Sequence, residues 1–259
     1  MYSSSSVATR FVLISILAVV ATQLLLMRTV SSLNMTNAYL NHKCLVSQGK
    51  YKPGSSYEEN LTLIIRIIAS EDGFVHGYSN FEDPELVSVT FQCRGDSFGS
   101  KCRSCYATAV AGLRRRCPRY KGGIIWYDQC VLEIISTNNT EGKINKDNKV
   151  CMSNPKKMNV DSFREKWMTF LDNLVGRTFK SRYMYAAGDT TFGTKKLYGM
   201  VQCRIGLEPV YKSCQQCLRN LAMQFQDCWN GKQGARVLGT SCNFRFELYP
   251  FVSNKSGPN

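Results

Sequence analysis

Twelve cysteines fall into two sets of six whose order of spacings repeats. The first set is Cys44, Cys93, Cys102, Cys105, Cys117 and Cys130; the second is Cys151, Cys203, Cys214, Cys217, Cys228 and Cys242. Cys44 and Cys151 lie 107 residues apart, Cys93 and Cys203 110, and Cys130 and Cys242 112. The neighbours repeat as well, since Gln92-Cys93-Arg94 is answered by Gln202-Cys203-Arg204. A near-constant offset of that size predicts two tandem copies of one domain and excludes a solenoid of short repeats.

What the cysteines do depends on the compartment, and the first 32 residues bear on that. A polar start carrying Arg10 leads into an apolar run over 11–27, followed by Arg28 and small side chains up to Ser32. This pattern predicts a secretory signal over 1–32, cleaved near Ser32. The alternative is an uncleaved signal anchor, because the run approaches the shortest span of a bilayer. No later stretch is apolar enough to cross a membrane, so the expected product carries no membrane span after cleavage. Outside the cytosol, an even cysteine count at repeated spacing reads as a disulfide framework. Cys102-x-x-Cys105 and Cys214-x-x-Cys217 also resemble zinc or redox motifs, but zinc needs free thiolates, and neither His42 nor His76 stands at ligand spacing. No metal or cofactor is expected. Glycosylation triplets begin at Asn34, Asn60, Asn138 and Asn254, in keeping with the secretory route.

The formal charge is +14, and signal cleavage lowers it to +12 by removing Arg10 and Arg28 and no acid. A secreted chain this basic is drawn to anionic surroundings. Its densest cluster, Arg114, Arg115, Arg116 and Arg119, reads as a cationic last helical turn that complements the helix dipole. Nucleic acid is not an expected partner, given the compartment and the lack of any such motif.

Each copy reads as α+β. Ser56-x-x-Glu59 and Ser162-x-x-Glu165 match the capping box, and apolar stripes follow at helical spacing: Leu61, Ile64, Ile65, Ile68, then Phe163, Trp167, Phe170, Leu171, Leu174. Strand-like stretches come next at 73–78 and 86–93, and again at 182–187 and 196–203. A second helix is predicted over 104–117 and over 213–228. A terminal hairpin closes each copy, at 123–127 with 130–135 and at 235–238 with 242–249. The predicted domains are 33–137 and 145–251, with a linker at 138–144 and a polar tail at 252–259.

The six-cysteine unit with its Cys-x8-Cys-x2-Cys core resembles the ginkbilobin-homologous domain of plant cysteine-rich repeat secretory proteins. The tandem pair is also similar to the extracellular part of cysteine-rich receptor-like kinases and plasmodesmata-located proteins. The resemblance covers the mature chain. It implies two helices on a five-stranded antiparallel sheet and three disulfides per domain: Cys44–Cys117, Cys93–Cys102, Cys105–Cys130, then Cys151–Cys228, Cys203–Cys214, Cys217–Cys242. Ten residues instead of eight separate Cys203 from Cys214, which predicts a larger surface loop.

Ginkbilobin itself binds mannose through an asparagine, an arginine and a glutamate. Repeat 2 keeps the last two as Arg236 and Glu247, and Met152 stands at the asparagine position. Repeat 1 has Leu45, Ile124 and Ile135 there. A sugar site that satisfies only some hydroxyls leaves others desolvated and unpaired. The alternative for Arg236 and Glu247 is a cross-strand ion pair. The expected function is that of a secreted, non-enzymatic recognition protein of the apoplast, in plant defence or signalling, binding a carbohydrate or a receptor ectodomain. The alternative is a protein–protein interaction scaffold without sugar binding. No paired carboxylates, nucleophile elbow or metal set suggests catalysis.

Overall fold

The computed structural model describes residues 37–71, 73–79, 86–136, 147–158, 161–207 and 210–252. The predicted signal, the whole linker at 138–144, and the triplets at Asn34, Asn138 and Asn254 lie outside them. One compact unit from Tyr39 onward holds both copies.

Domain 1 runs β1 (Tyr39–Cys44), α1 (Ser56–Ile68), β2 (Phe74–Tyr78), β3 (Ser88–Cys93), α2 (Ser100–Arg116), β4 (Gly123–Tyr127) and β5 (Cys130–Ile135). Domain 2 repeats this as β6 (Lys149–Ser153), α3 (Phe163–Thr178), β7 (Tyr185–Phe192), β8 (Lys195–Cys203), α4 (Val210–Gln224), the short α5 (Gln226–Trp229), β9 (Gly234–Gly239) and β10 (Cys242–Glu247). Strand order is β1-β4-β5-β3-β2 in one sheet and β6-β9-β10-β8-β7 in the other, with every pairing antiparallel. The two topologies are identical.

Alternation along the central strands explains the layering. Ile125, Leu132, Phe91 and Val89 point to the core beneath α1 and α2, as Val237, Phe244, Phe246 and Val201 do beneath α3 and α4. Period-2 strands then send the intervening residues to the opposite face. There Ile124, Trp126 and Leu238 form a small separate cluster, supported by Leu40, Val131 and Val150. The two domains meet through the sheet faces that the helices leave uncovered.

Six disulfides staple the helices to the sheets, and all stay within one domain: Cys44–Cys117, Cys93–Cys102 and Cys105–Cys130 in domain 1, Cys151–Cys228, Cys203–Cys214 and Cys217–Cys242 in domain 2. The seam between domains is therefore noncovalent among the described residues.

The start signals act differently from the sequence expectation. α1 begins after Ser55, and α3 after Ser162 in the left-handed region at φ 57°; neither cap makes a side-chain bond to the backbone. At α1 the carboxylate of Glu58 accepts the Gly54 N–H at 2.8 Å and ties down the preceding turn. The capping boxes at Ser56 and Ser162 are thus not formed. The helix over 213–228 also divides, with α4 ending at Gln224 and α5 carrying Cys228.

Candidate functional site

The polar residues of the uncovered sheet faces converge on the seam. Gln92 Nε2 donates to the Cys203 carbonyl at 3.0 Å, and Gln202 Nε2 donates to the Cys93 carbonyl at 3.0 Å. Such a reciprocal exchange between equivalent residues marks a near-twofold relation, as in an isologous interface. Trp126 Nε1 adds a bond to the Gly239 carbonyl at 3.2 Å, and the Phe98 and Tyr183 rings meet at 5.2 Å. At Gly95 a side chain has no room, because a Cβ there would run into the Cβ and ring of Tyr185.

Charge breaks the twofold relation. Glu133 of β5 and Arg245 of β10 occupy the same place in their repeats, three residues after Cys130 and Cys242. Across the seam Arg204 therefore meets an acid, Glu133, at 3.8 Å with both side chains buried. The equivalent contact would set Arg94 against Arg245. Asp128, in the two-residue turn between β4 and β5, resolves that conflict. Its Oδ2 accepts from Arg94 at 2.8 Å, and its Oδ1 accepts from Arg245 at 3.2 Å and from Arg236 at 2.5 Å. Asp96 takes the other edge of Arg94 at 2.5 Å, and Glu247 takes Arg245 at 3.0 Å. Arg245 also donates to the Tyr249 hydroxyl at 3.1 Å and lies 3.9 Å over the Phe251 ring.

Cross-strand register puts Arg236 directly opposite Arg245, an unfavourable pairing of like charges without Asp128 between them. The two residues singled out by the resemblance, Arg236 and Glu247, are brought to 3.9 Å of each other. Both are committed to this network: Arg236 to Asp128 of the other domain, Glu247 to Arg245. The cavity lined by Arg236, Asp128 and Arg245 has a volume of about 40 Å³, room for a few waters and far below the roughly 300 Å³ where small-ligand pockets begin. Met152 is partly exposed on β6 opposite Arg236.

Burial alone would raise the Asp128 carboxyl, but Arg94, Arg236 and Arg245 together hold it below the ordinary carboxylate value. A depressed folded pKa contributes stability that is complete above the unfolded value of about 3.9 and is lost as pH falls through the folded one. Acid unfolding of the native protein should therefore steepen below about pH 4. Asp128→Asn, less stable at pH 7, should show a flatter profile in the same window by circular dichroism.

Of the other candidates, Asn60 lies half-buried in α1. Among the described residues one cluster has metal-type donors, His42 with Cys44 and Cys117, and the disulfide between its cysteines closes it. Sequence reasoning missed Asp128, Arg245, Glu133 and Arg204 as partners. The repeated Gln-Cys-Arg triplet was the one visible trace of the seam.

The family model described as "Salt stress response/antifungal" matches residues 43–137 and 150–249. The chain is 66% identical over 263 residues to cysteine-rich repeat secretory protein 16 of Arabidopsis thaliana, covering 100% of this chain and 99% of that protein. It is 50% identical over 277 residues to cysteine-rich repeat secretory protein 18 of the same plant, covering 100% and 98%. The solved tandem DUF26 ectodomain of the Arabidopsis thaliana cysteine-rich receptor-like protein PDLP8 superposes with a TM-score of 0.66 at 18% identity, over 82% of this chain and 99% of that one. No helix among the described residues is long and apolar enough to cross a membrane.

Proposed function

This chain belongs to the Salt stress response/antifungal family of secreted cysteine-rich repeat proteins, and from that premise we propose that it acts in the apoplast as a two-domain recognition module without enzymatic activity. Its partner in this reading is an extracellular protein surface, such as a receptor ectodomain, in defence or signalling. Arg236 and Glu247 serve the seam between the domains and not a bound sugar. The observation that carries this is their engagement: the Arg236 guanidinium bonds Asp128 across the seam and the Glu247 carboxylate bonds Arg245. A mannose would have to displace partners that are themselves charged and largely buried, leaving them unpaired.

The outer surface supports a protein partner. Leu63 and Ile67 stand one turn apart on the outside of α1, 55% and 59% exposed. Exposed apolar pairs of this kind suit docking better than solvation. The test is a mannoside-bearing glycan array probed with native protein and with Arg236→Ala, alongside thermal unfolding of both. Silence on the array and a lowered unfolding temperature for Arg236→Ala are expected. Mannoside binding by the native protein that Arg236→Ala abolishes without any change in unfolding would refute the reading.

A further inference from the structure

The two domains differ in packing on their helix side. In domain 2, between α3 and α5, Trp167 and Trp229 are both buried, with ring centroids 6.4 Å apart. Phe246 joins them, 4.6 Å from Trp167. The cysteine framework gives the domain 1 equivalents Pro118 for Trp229 and Ile134 for Phe246, and the buried helix stripe, Tyr57, Leu61, Ile64 and Ile68 against Phe163, Trp167, Phe170 and Leu174, gives Leu61 for Trp167. Three large aromatic side chains are thus replaced by smaller ones. The space they vacate is a pocket of about 370 Å³ bounded by these same three residues, within the range of small-molecule sites.

The mouth of this pocket differs as well. Arg114, Arg119, Tyr51 and Tyr120 stand around it. Backbone bonding makes Arg119 the counterpart of Gly231, since Tyr51 N–H donates to the Arg119 carbonyl as Met158 N–H does to that of Gly231. Both residues have positive φ, 63° and 66°. A left-handed conformation suits glycine and costs an L side chain roughly 1–2 kcal/mol. Domain 1 nevertheless carries an arginine there, and strain of this kind concentrates at ligand sites. The same two guanidiniums act on the Tyr51 phenol, against the rise that burial and Glu58 give it, so both lie beside one wall of the pocket. Neither makes an ion pair among the described residues. Glu58, the one acid in the lining, already accepts the Gly54 N–H.

We propose that the domain 1 pocket is a binding site for a small amphipathic carboxylic acid, its apolar body on Leu61, Leu113 and Ile134 and its carboxylate on Arg114 and Arg119. An apolar floor with two cations at the rim selects for that combination: the guanidinium fork matches a carboxylate, and the floor gains only from an apolar body. This site lies on the helix side of domain 1, away from the seam, and stands or falls independently of the partner proposed above.

The test is isothermal titration calorimetry on secreted, disulfide-intact protein with trans-cinnamate, 1-naphthylacetate and octanoate, and with cinnamyl alcohol as the neutral control. At least one acid should bind, and at least tenfold more tightly than the alcohol. Arg119→Gly removes the cation and relieves the backbone together, so it should weaken binding about tenfold while the fold is kept. Leu61→Trp, or Pro118→Trp if the first fails to fold, refills the space with the side chain domain 2 uses and should abolish binding. Failure of all three acids to bind, equal binding of cinnamate and its alcohol, or unchanged affinity in Arg119→Gly would each overturn the proposal.

Discussion

Replacing Asp128 by alanine should destabilise the pairing of the domains by about 3 kcal/mol, the lower end for breaking a buried charge pair. Arg94 keeps Asp96 and Arg245 keeps Glu247, but Arg236 is left opposite Arg245 with only the 3.9 Å contact to Glu247. Since no disulfide among the described residues crosses the seam, the loss falls on the coupling and not on either core. Calorimetric unfolding, expected as one transition for the native protein, should separate into two for Asp128→Ala. Adding Arg245→Met should restore more than half of the loss, because well-packed apolar replacement of a buried ion often costs little. A single unshifted transition in Asp128→Ala would show that the seam does not depend on this carboxylate.

Within each domain the largest single effects should come from the bridge that closes the longest loop. Cys151–Cys228 spans 77 residues and Cys203–Cys214 spans 11. The loop-entropy relation assigns about 4.5 kcal/mol to the first and about 3 kcal/mol to the second. Paired Cys→Ala variants compared by guanidinium denaturation should therefore rank in that order, with a gap of about 1.5 kcal/mol. The reverse ranking would mean that residual structure in the unfolded chain, not loop length, sets the contribution.

Fold class and repeat were legible because cysteine order and strand alternation are local or nearly local signals. The apolar stripe of Phe163, Trp167, Phe170, Leu171 and Leu174 predicted α3, and all five are buried. Ser56 and Ser162 misled because a capping sequence fixes only the option of a bond; here Glu58 and a left-handed Ser162 set the helix starts instead. The seam was far less legible. Gln92 and Gln202 were visible as repeated neighbours of cysteine, but their task is defined only when two sheets face each other. Asp128 sits in a two-residue turn, where an aspartate is unremarkable by itself. Arg236 and Glu247 were picked out by resemblance, and what they touch depends on Asp128 for the first, from the other domain, and on Arg245 for the second, two residues back on the same strand. The domain 1 pocket was invisible for a related reason: the exchange of Trp229 for Pro118 acquires meaning only once both chains of residues are superposed in space.

The reversal of sign between Glu133 and Arg245 also governs which domains can mate. Two copies of domain 2 brought together by the same geometry would oppose Arg204 to Arg245 twice over, with Thr240 where domain 1 supplies Asp128. Like charges held together away from water repel strongly. Two copies of domain 1 would meet no such repulsion, since Arg94 would face Glu133. Charge thus vetoes the pairing of two second domains and leaves a second domain only a first domain as its mate.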